Sequence, residues 1–124
     1  MKFSNIALSL VATLVSFAAA ATTKADIQDE RALFAYLKVQ PGTEQQFLDA
    51  TADVIEQSRK ESGCLIYILH ESEQDPTQFL IYELFKSDAD LQAHRKAQYV
   101  VDFLSTVNPI LVPGGFVLNE FDVK

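Results

Sequence analysis

Four antiparallel strands with two helices on one face, in the chain order β-α-β-β-α-β of an α+β fold, are predicted by three features of the sequence. Short β-prone runs bounded by turn residues occur near residues 31–40, 64–69, 79–85 and 116–121. Two longer stretches, beginning at Thr43 and Ser87, carry apolar residues at helical spacing. Only a polar turn separates the two middle runs, so they pair most simply as an antiparallel hairpin.

Residues ahead of these runs are expected to be removed. Lys2 is followed by an apolar run from Ile6 to Phe17, broken only by small hydroxyl residues, and then by a small-residue stretch from Ala18 to Ala21. One early positive charge, an apolar run and A-x-A triplets make the pattern of a cleavable signal peptide, and the run is too short to span a bilayer as a helix. Residues 1–25 are therefore read as a signal peptide cut between about 20 and 25, with a periplasmic or secreted location and no stable membrane anchor. Taking 25 residues from 124 leaves 99 and removes Lys2 and Lys24, which moves the formal charge from −7 to −9. Residues 26–124 then form one domain, large enough to fold without staples.

The first strand, about residues 31–40, contains Leu33-Phe34-Ala35-Tyr36-Leu37 and stops at Pro41-Gly42. Thr43 followed by Gln46 reads as a capping box. Phe47, Thr51, Val54, Ile55 and Ser58 then recur on one helical face, and Gly63 is expected to close the helix in a left-handed conformation. The run from Cys64 to Leu69 is apolar on both parities, as suits a strand covered on both faces. Asp75-Pro76 marks the turn into the third strand, residues 79–85. Ser87 caps a second helical stretch carrying Leu91, His94, Val101 and Leu104, with a break expected between Ala97 and Tyr99. Asn108-Pro109 and Pro113-Gly114-Gly115 end it, and Phe116 to Phe121 alternates as the last strand. The order is that of the split βαβ, or ferredoxin-like, arrangement. Its helices cover one sheet face, so Phe34, Tyr36, Tyr67 and Tyr82 are left for an interface or a ligand cavity.

Seventeen acidic against ten basic side chains argue against nucleic acid and anionic membrane as partners, because both require concentrated Lys and Arg. Cys64 is the single cysteine, so no intramolecular disulfide can form, and its apolar neighbours suggest a structural thiol. The sequence has no phosphate-cradling glycine loop, zinc-ligand spacing or nucleophile elbow. Of the two histidines, His70 ends a strand and reads as solvated, whereas His94 shares the apolar side of its helix. A histidine there either finds a hydrogen-bond partner in the core or faces a pocket. Tyr36, Tyr67 and Tyr82 first read as packing residues. Glu83, inside an apolar strand, must be paired, edge-exposed or raised in pKa, with Arg59 or Arg95 as the expected ion-pair partner.

Taken together, Val39-x-Pro41-Gly42-x-x-x-x-Phe47, Ser58-Arg59-x-Glu61-x-Gly63-Cys64-x-x-Tyr67, Tyr82-Glu83-x-Phe85-x-Ser87, Leu91-x-Ala93-His94 and Phe103 resemble antibiotic biosynthesis monooxygenase domains, most closely the small quinol monooxygenase-like members. The resemblance covers residues 32–103. It implies a homodimeric α/β barrel in which two sheets enclose a pocket, and oxidation of a phenolic or quinol-type substrate by molecular oxygen without metal, flavin or other cofactor. On that reading His94 is the catalytic base. Tyr36, Tyr67, Tyr82 and Tyr99 contact the substrate, and Phe34, Phe85 and Phe103 wall it in. Phe85 stands where relatives commonly carry tryptophan, and Tyr99 where many carry a second histidine. A periplasmic binding or stress-response module on the same fold is the alternative. Haem binding or degradation is the weaker third, since it would call for the missing tryptophan and an asparagine in the first strand.

Overall fold

The computed structural model describes residues 29–124, and the expected signal peptide lies outside the described residues. Strand β1 (Arg31–Val39) leads to helix α1 (Glu44–Lys60), strands β2 (Cys64–Glu71) and β3 (Gln78–Phe85), helices α2 (Asp88–Lys96) and α3 (Gln98–Val107), a short 3₁₀ turn (Asn108–Ile110) and strand β4 (Leu111–Asp122). The four strands form one antiparallel sheet in the order β2-β3-β1-β4. This is the predicted ferredoxin-like arrangement, with the second helical stretch divided in two. Among the described residues no helix is long and apolar enough to cross a membrane.

Strand parity decides what each sheet face meets. Leu33, Ala35 and Leu37 of β1 are buried against the helices, in register with Glu83, Ile81 and Phe79 of β3. Helix α1 contributes Phe47, Thr51, Val54 and Ser58 to that core. Thr51 Oγ1 and Ser58 Oγ donate to the carbonyls one turn back, at 2.7 and 2.6 Å, so their hydroxyls enter the core satisfied. Phe47 packs on Phe79 with ring centroids 4.4 Å apart, and burial of such a ring stabilises by roughly 1.5–3 kcal/mol. The opposite parity, including Phe34, Tyr36, Tyr82 and Ile68, lies on a face that none of the described helices covers. Among the described residues β2 is thus covered on one face, not two.

Local details depart from the expected pattern at four places. Thr43 makes no side-chain cap; its hydroxyl donates to the Gln40 carbonyl, while Glu44 accepts from the Gly42 N–H. Helix α1 ends at an extended Glu61, and Gly63 is needed for space instead of handedness, since a Cβ there would clash with the Asp90 side chain. β4 begins at Leu111, ahead of the Pro-Gly-Gly segment. That segment forms an irregularity in which a Cβ on Gly115 would meet the Lys38 carbonyl at 2.5 Å. Finally, the extended backbone at Ala97 rotates the phase of α3, so Val100, Phe103 and Val107 are buried and Val101 is exposed.

Candidate active site

Three segments remote in sequence meet at His94. Ser87 caps α2 as its sequence predicts, its Oγ accepting the Asp90 N–H, and the helix buries Leu91 and His94 on its sheet side. His94 is only 3% exposed. Its ring packs against Phe85 and Tyr67, with centroids 4.8 and 5.7 Å away. Its Nδ1 lies 3.0 Å from Glu61 Oε1, at the end of α1. The Tyr99 hydroxyl, from the first turn of α3, donates to the same carboxylate oxygen. On the other side of the ring, Nε2 is 3.6 Å from Glu83 Oε2.

This arrangement fixes the histidine tautomer. A carboxylate only accepts, so Glu61 takes the Nδ1–H and leaves a lone pair on Nε2. Burial holds His94 below the usual imidazole value; the hydrogen bond and charge of Glu61 oppose that shift, and Arg95 adds to it. Burial also pushes Glu83 up to about 8, opposed by Arg95 and reinforced by Glu61. Burial thus favours the uncharged form of both groups. Burial raises the Tyr67 phenol beyond its ordinary range and the Cys64 thiol to about 11, which keeps both protonated.

His94 and Glu83 form the polar end of a cavity of about 80 Å³ between the sheet and the helices. Leu33, Ala35, Leu37 and Ile81 line its sheet wall, and Val100, Phe103 and Leu104 of α3 face them. Phe116 and Leu118 of β4, 41% and 38% exposed, mark its mouth. Arg95 lines the same cavity and is paired with Glu120, tying α2 to β4.

Of the residues expected at the site, His94, Tyr67 and Phe103 line this cavity, Phe85 backs the imidazole, and Tyr99 reaches it through Glu61. Phe34, Tyr36 and Tyr82 do not line it: their parity places them on the uncovered face, where Phe34 packs on Tyr82. The cavity is lined by the sheet and helices of one chain and opens between β4 and α3. Neither expected arginine pairs with Glu83, because Arg59 Nε donates to the Tyr67 carbonyl and Arg95 is held by Glu120. Glu61 was missed as a site residue, although it stands in the Ser58-Arg59-x-Glu61-x-Gly63 motif; an acidic residue just past a helix end ordinarily reads as solvated. Among the described residues no group of three or more His, Cys, Asp or Glu side chains is placed to hold a metal ion.

The sequence profile of the family described as antibiotic biosynthesis monooxygenase matches residues 31–105. The chain is 32% identical over 68 residues to an uncharacterised protein of Synechocystis, a stretch covering 55% of this chain and 46% of that one. It thus spans just under half the length of that relative. It is 28% identical over 79 residues to YcnE of Bacillus subtilis, a proposed monooxygenase, covering 64% of this chain and 83% of that protein. The solved structure of a proposed antibiotic biosynthesis monooxygenase from Caulobacter crescentus superposes with a TM-score of 0.73 at 25% identity, over 81% of this chain and 94% of that one.

Proposed function

Because the chain belongs to the antibiotic biosynthesis monooxygenase family, we propose that its cavity binds a quinol or phenolic ring and oxidises it with molecular oxygen, His94 serving as the base. The observation that carries this reading is the buried imidazole whose Nε2 lone pair faces an apolar cavity while Glu61 holds Nδ1. A substrate hydroxyl gives its proton to Nε2, and the electron-rich anion passes an electron to oxygen inside the cavity, which keeps the radicals together. For a simple quinol, one oxygen atom ends on the ring as a hydroxyquinone and the other in water. Glu61 also borders a surface groove with Ser62, Gly63, Asp90, Ala93 and Ala97, which offers the proton a route to solvent. No step calls for a cofactor. The cavity is smaller than the ~150 Å³ that holds a benzene ring, so the substrate extends into the mouth between β4 and α3.

The reading includes a homodimer that stacks two uncovered sheet faces, supported by the apolar side chains gathered there, and export, supported by the signal-peptide pattern of residues 1–25. Light scattering at micromolar concentration should report twice the chain mass. N-terminal sequencing of exported protein should begin between Ala21 and Asp26. The decisive assay is oxygen-electrode measurement with a panel of hydroquinones, with and without chelator: uptake surviving chelation is expected. Uptake no greater than autoxidation in buffer would favour a binding module without turnover. Phe85 is the observation on that side, since it covers the imidazole with an apolar ring that has no N–H to offer a substrate.

A further inference from the structure

Glu83 is a buried carboxyl in a wall of aliphatic side chains. In register it sits between Leu33 of β1 and Tyr67 of β2, pointing at the helices. Its side chain is 8% exposed, and the polar group set against it is His94 Nε2. Their 3.6 Å separation is too long for a hydrogen bond. It is short enough for one oxygen atom to lie about 2.8 Å from both. Two polar atoms converging on an apolar cavity, each able to use a further partner, describe a receptor for a small polar group.

We propose that Glu83 and His94 together receive a single hydroxyl on an aromatic ring, and that Glu83 is the residue selecting hydroxyaromatic ligands over analogues without the hydroxyl and over aromatic carboxylates. This rests on the cavity being the substrate site. The hydroxyl donates to Nε2 and accepts from the protonated Glu83 carboxyl. An analogue without oxygen leaves both groups buried and unpaired, which is how a polar site rejects an apolar isostere. A carboxylate would bring a second negative charge near Glu61, and Arg95, which lines the cavity, is already paired with Glu120. The titratable or charged groups facing Glu83 are Tyr67 and Cys64 from β2, Glu61 from the end of α1, and His94 and Arg95 from α2. Its raised value near 8 keeps the donor proton in place at neutral pH.

The test is binding of 4-fluorophenol and fluorobenzene, followed by fluorine NMR, to wild type, Glu83→Gln and Glu83→Leu. Wild type should prefer the phenol, and Glu83→Leu should lose that preference by roughly tenfold or more while still binding fluorobenzene, which shows its cavity intact. Glu83→Gln keeps a donor at that position and should retain the preference. Wild-type affinity for the phenol should fall as pH rises through about 8, whereas the Gln variant stays flat over the same range. An unchanged preference in Glu83→Leu overturns the role of Glu83 and leaves the site reading standing. Failure of wild type to bind either compound in the cavity overturns the site reading and the selection role with it.

Discussion

The two faces of the sheet are built from the same strands and do opposite things. On the covered face, Leu33, Ala35, Leu37 and Ile81 meet helices, and the burial that stabilises the fold also raises Glu83 and lowers His94. On the open face, Phe34, Tyr36, Tyr82, Val117 and Phe121 are as apolar, yet none of the described elements covers them; Tyr36 and Phe121 are 48% and 54% exposed. Aromatic character alone therefore says little about where ligands bind. What separates the faces is enclosure: desolvation makes a titratable group reactive, and only the covered face supplies it.

The sharpest way to break that contrast is at the imidazole. His94→Gln preserves size and hydrogen bonding but cannot take the proton, so quinol turnover should fall roughly 10²–10⁴-fold while melting temperature and oligomeric state hold. Full activity would return His94 to the status of a packed core residue. Next comes the open face. If the proposed dimer stacks the open faces, Phe121→Asp should weaken self-association by roughly 30-fold or more, read by light scattering across a dilution series, because a charge buried in an apolar interface costs about 2 kcal/mol or more. Fluorobenzene binding in the cavity should survive it, since Phe121 is not among the cavity's lining residues.

A third effect concerns pH. Glu83 stands near 8 in the folded chain against an ordinary 4.5, so the native state keeps a proton that the unfolded state has released. Stability is then lost as pH rises from about 4.5 through about 8, opposite to the usual carboxylate. Glu83→Gln removes this loss and should melt roughly 4–8 °C above wild type near pH 9, a gain of ~1 kcal/mol, with the difference shrinking near pH 4. The lowered His94 works the other way, costing stability as pH falls below 6.5, so the comparison is made near pH 9, where the imidazole is neutral in the folded and unfolded states alike. The smallest effect is on the open face again: Tyr36→Phe should leave turnover within about twofold. A larger loss would mean that the uncovered face also contributes to the reaction.

Strand and helix identity were legible because each element is short, periodic and bounded by turn residues. A break between Ala97 and Tyr99 was expected, but the phase after it was not: Val101, placed on one face with Leu91 and His94, is exposed, and Val100 is buried instead. Sheet faces were not legible either. In β1 both parities are apolar, Leu33-Ala35-Leu37 on one and Phe34-Tyr36 on the other, so the pattern alone does not say which set meets the helices. Glu83 was recognisable as anomalous, but its partner was not, because arginines and histidine are all within reach of β3 in a linear reading. Glu61 escaped notice for a topological reason: its neighbours His94 and Tyr99 are 33 and 38 positions away, and only the fold brings them to it.

The extended torsion at Ala97, φ −63° and ψ 133°, has a consequence for how His94 and Tyr99 share one oxygen. On an unbroken helix, side chains five residues apart diverge by about 140° around the axis. Here the chain leaves α2 with the Ala97 N–H still bound to the His94 carbonyl, and starts α3 with the Ala97 carbonyl accepting from Val100. The turn in between swings the phenol back toward the edge of the imidazole. The convergence is therefore an angular property of the backbone, set by a residue whose own side chain bears no functional group. Substituting Ala97 while keeping that torsion leaves the alignment intact. Inserting one residue there rotates Tyr99 away from Glu61, although every residue of the trio is still present.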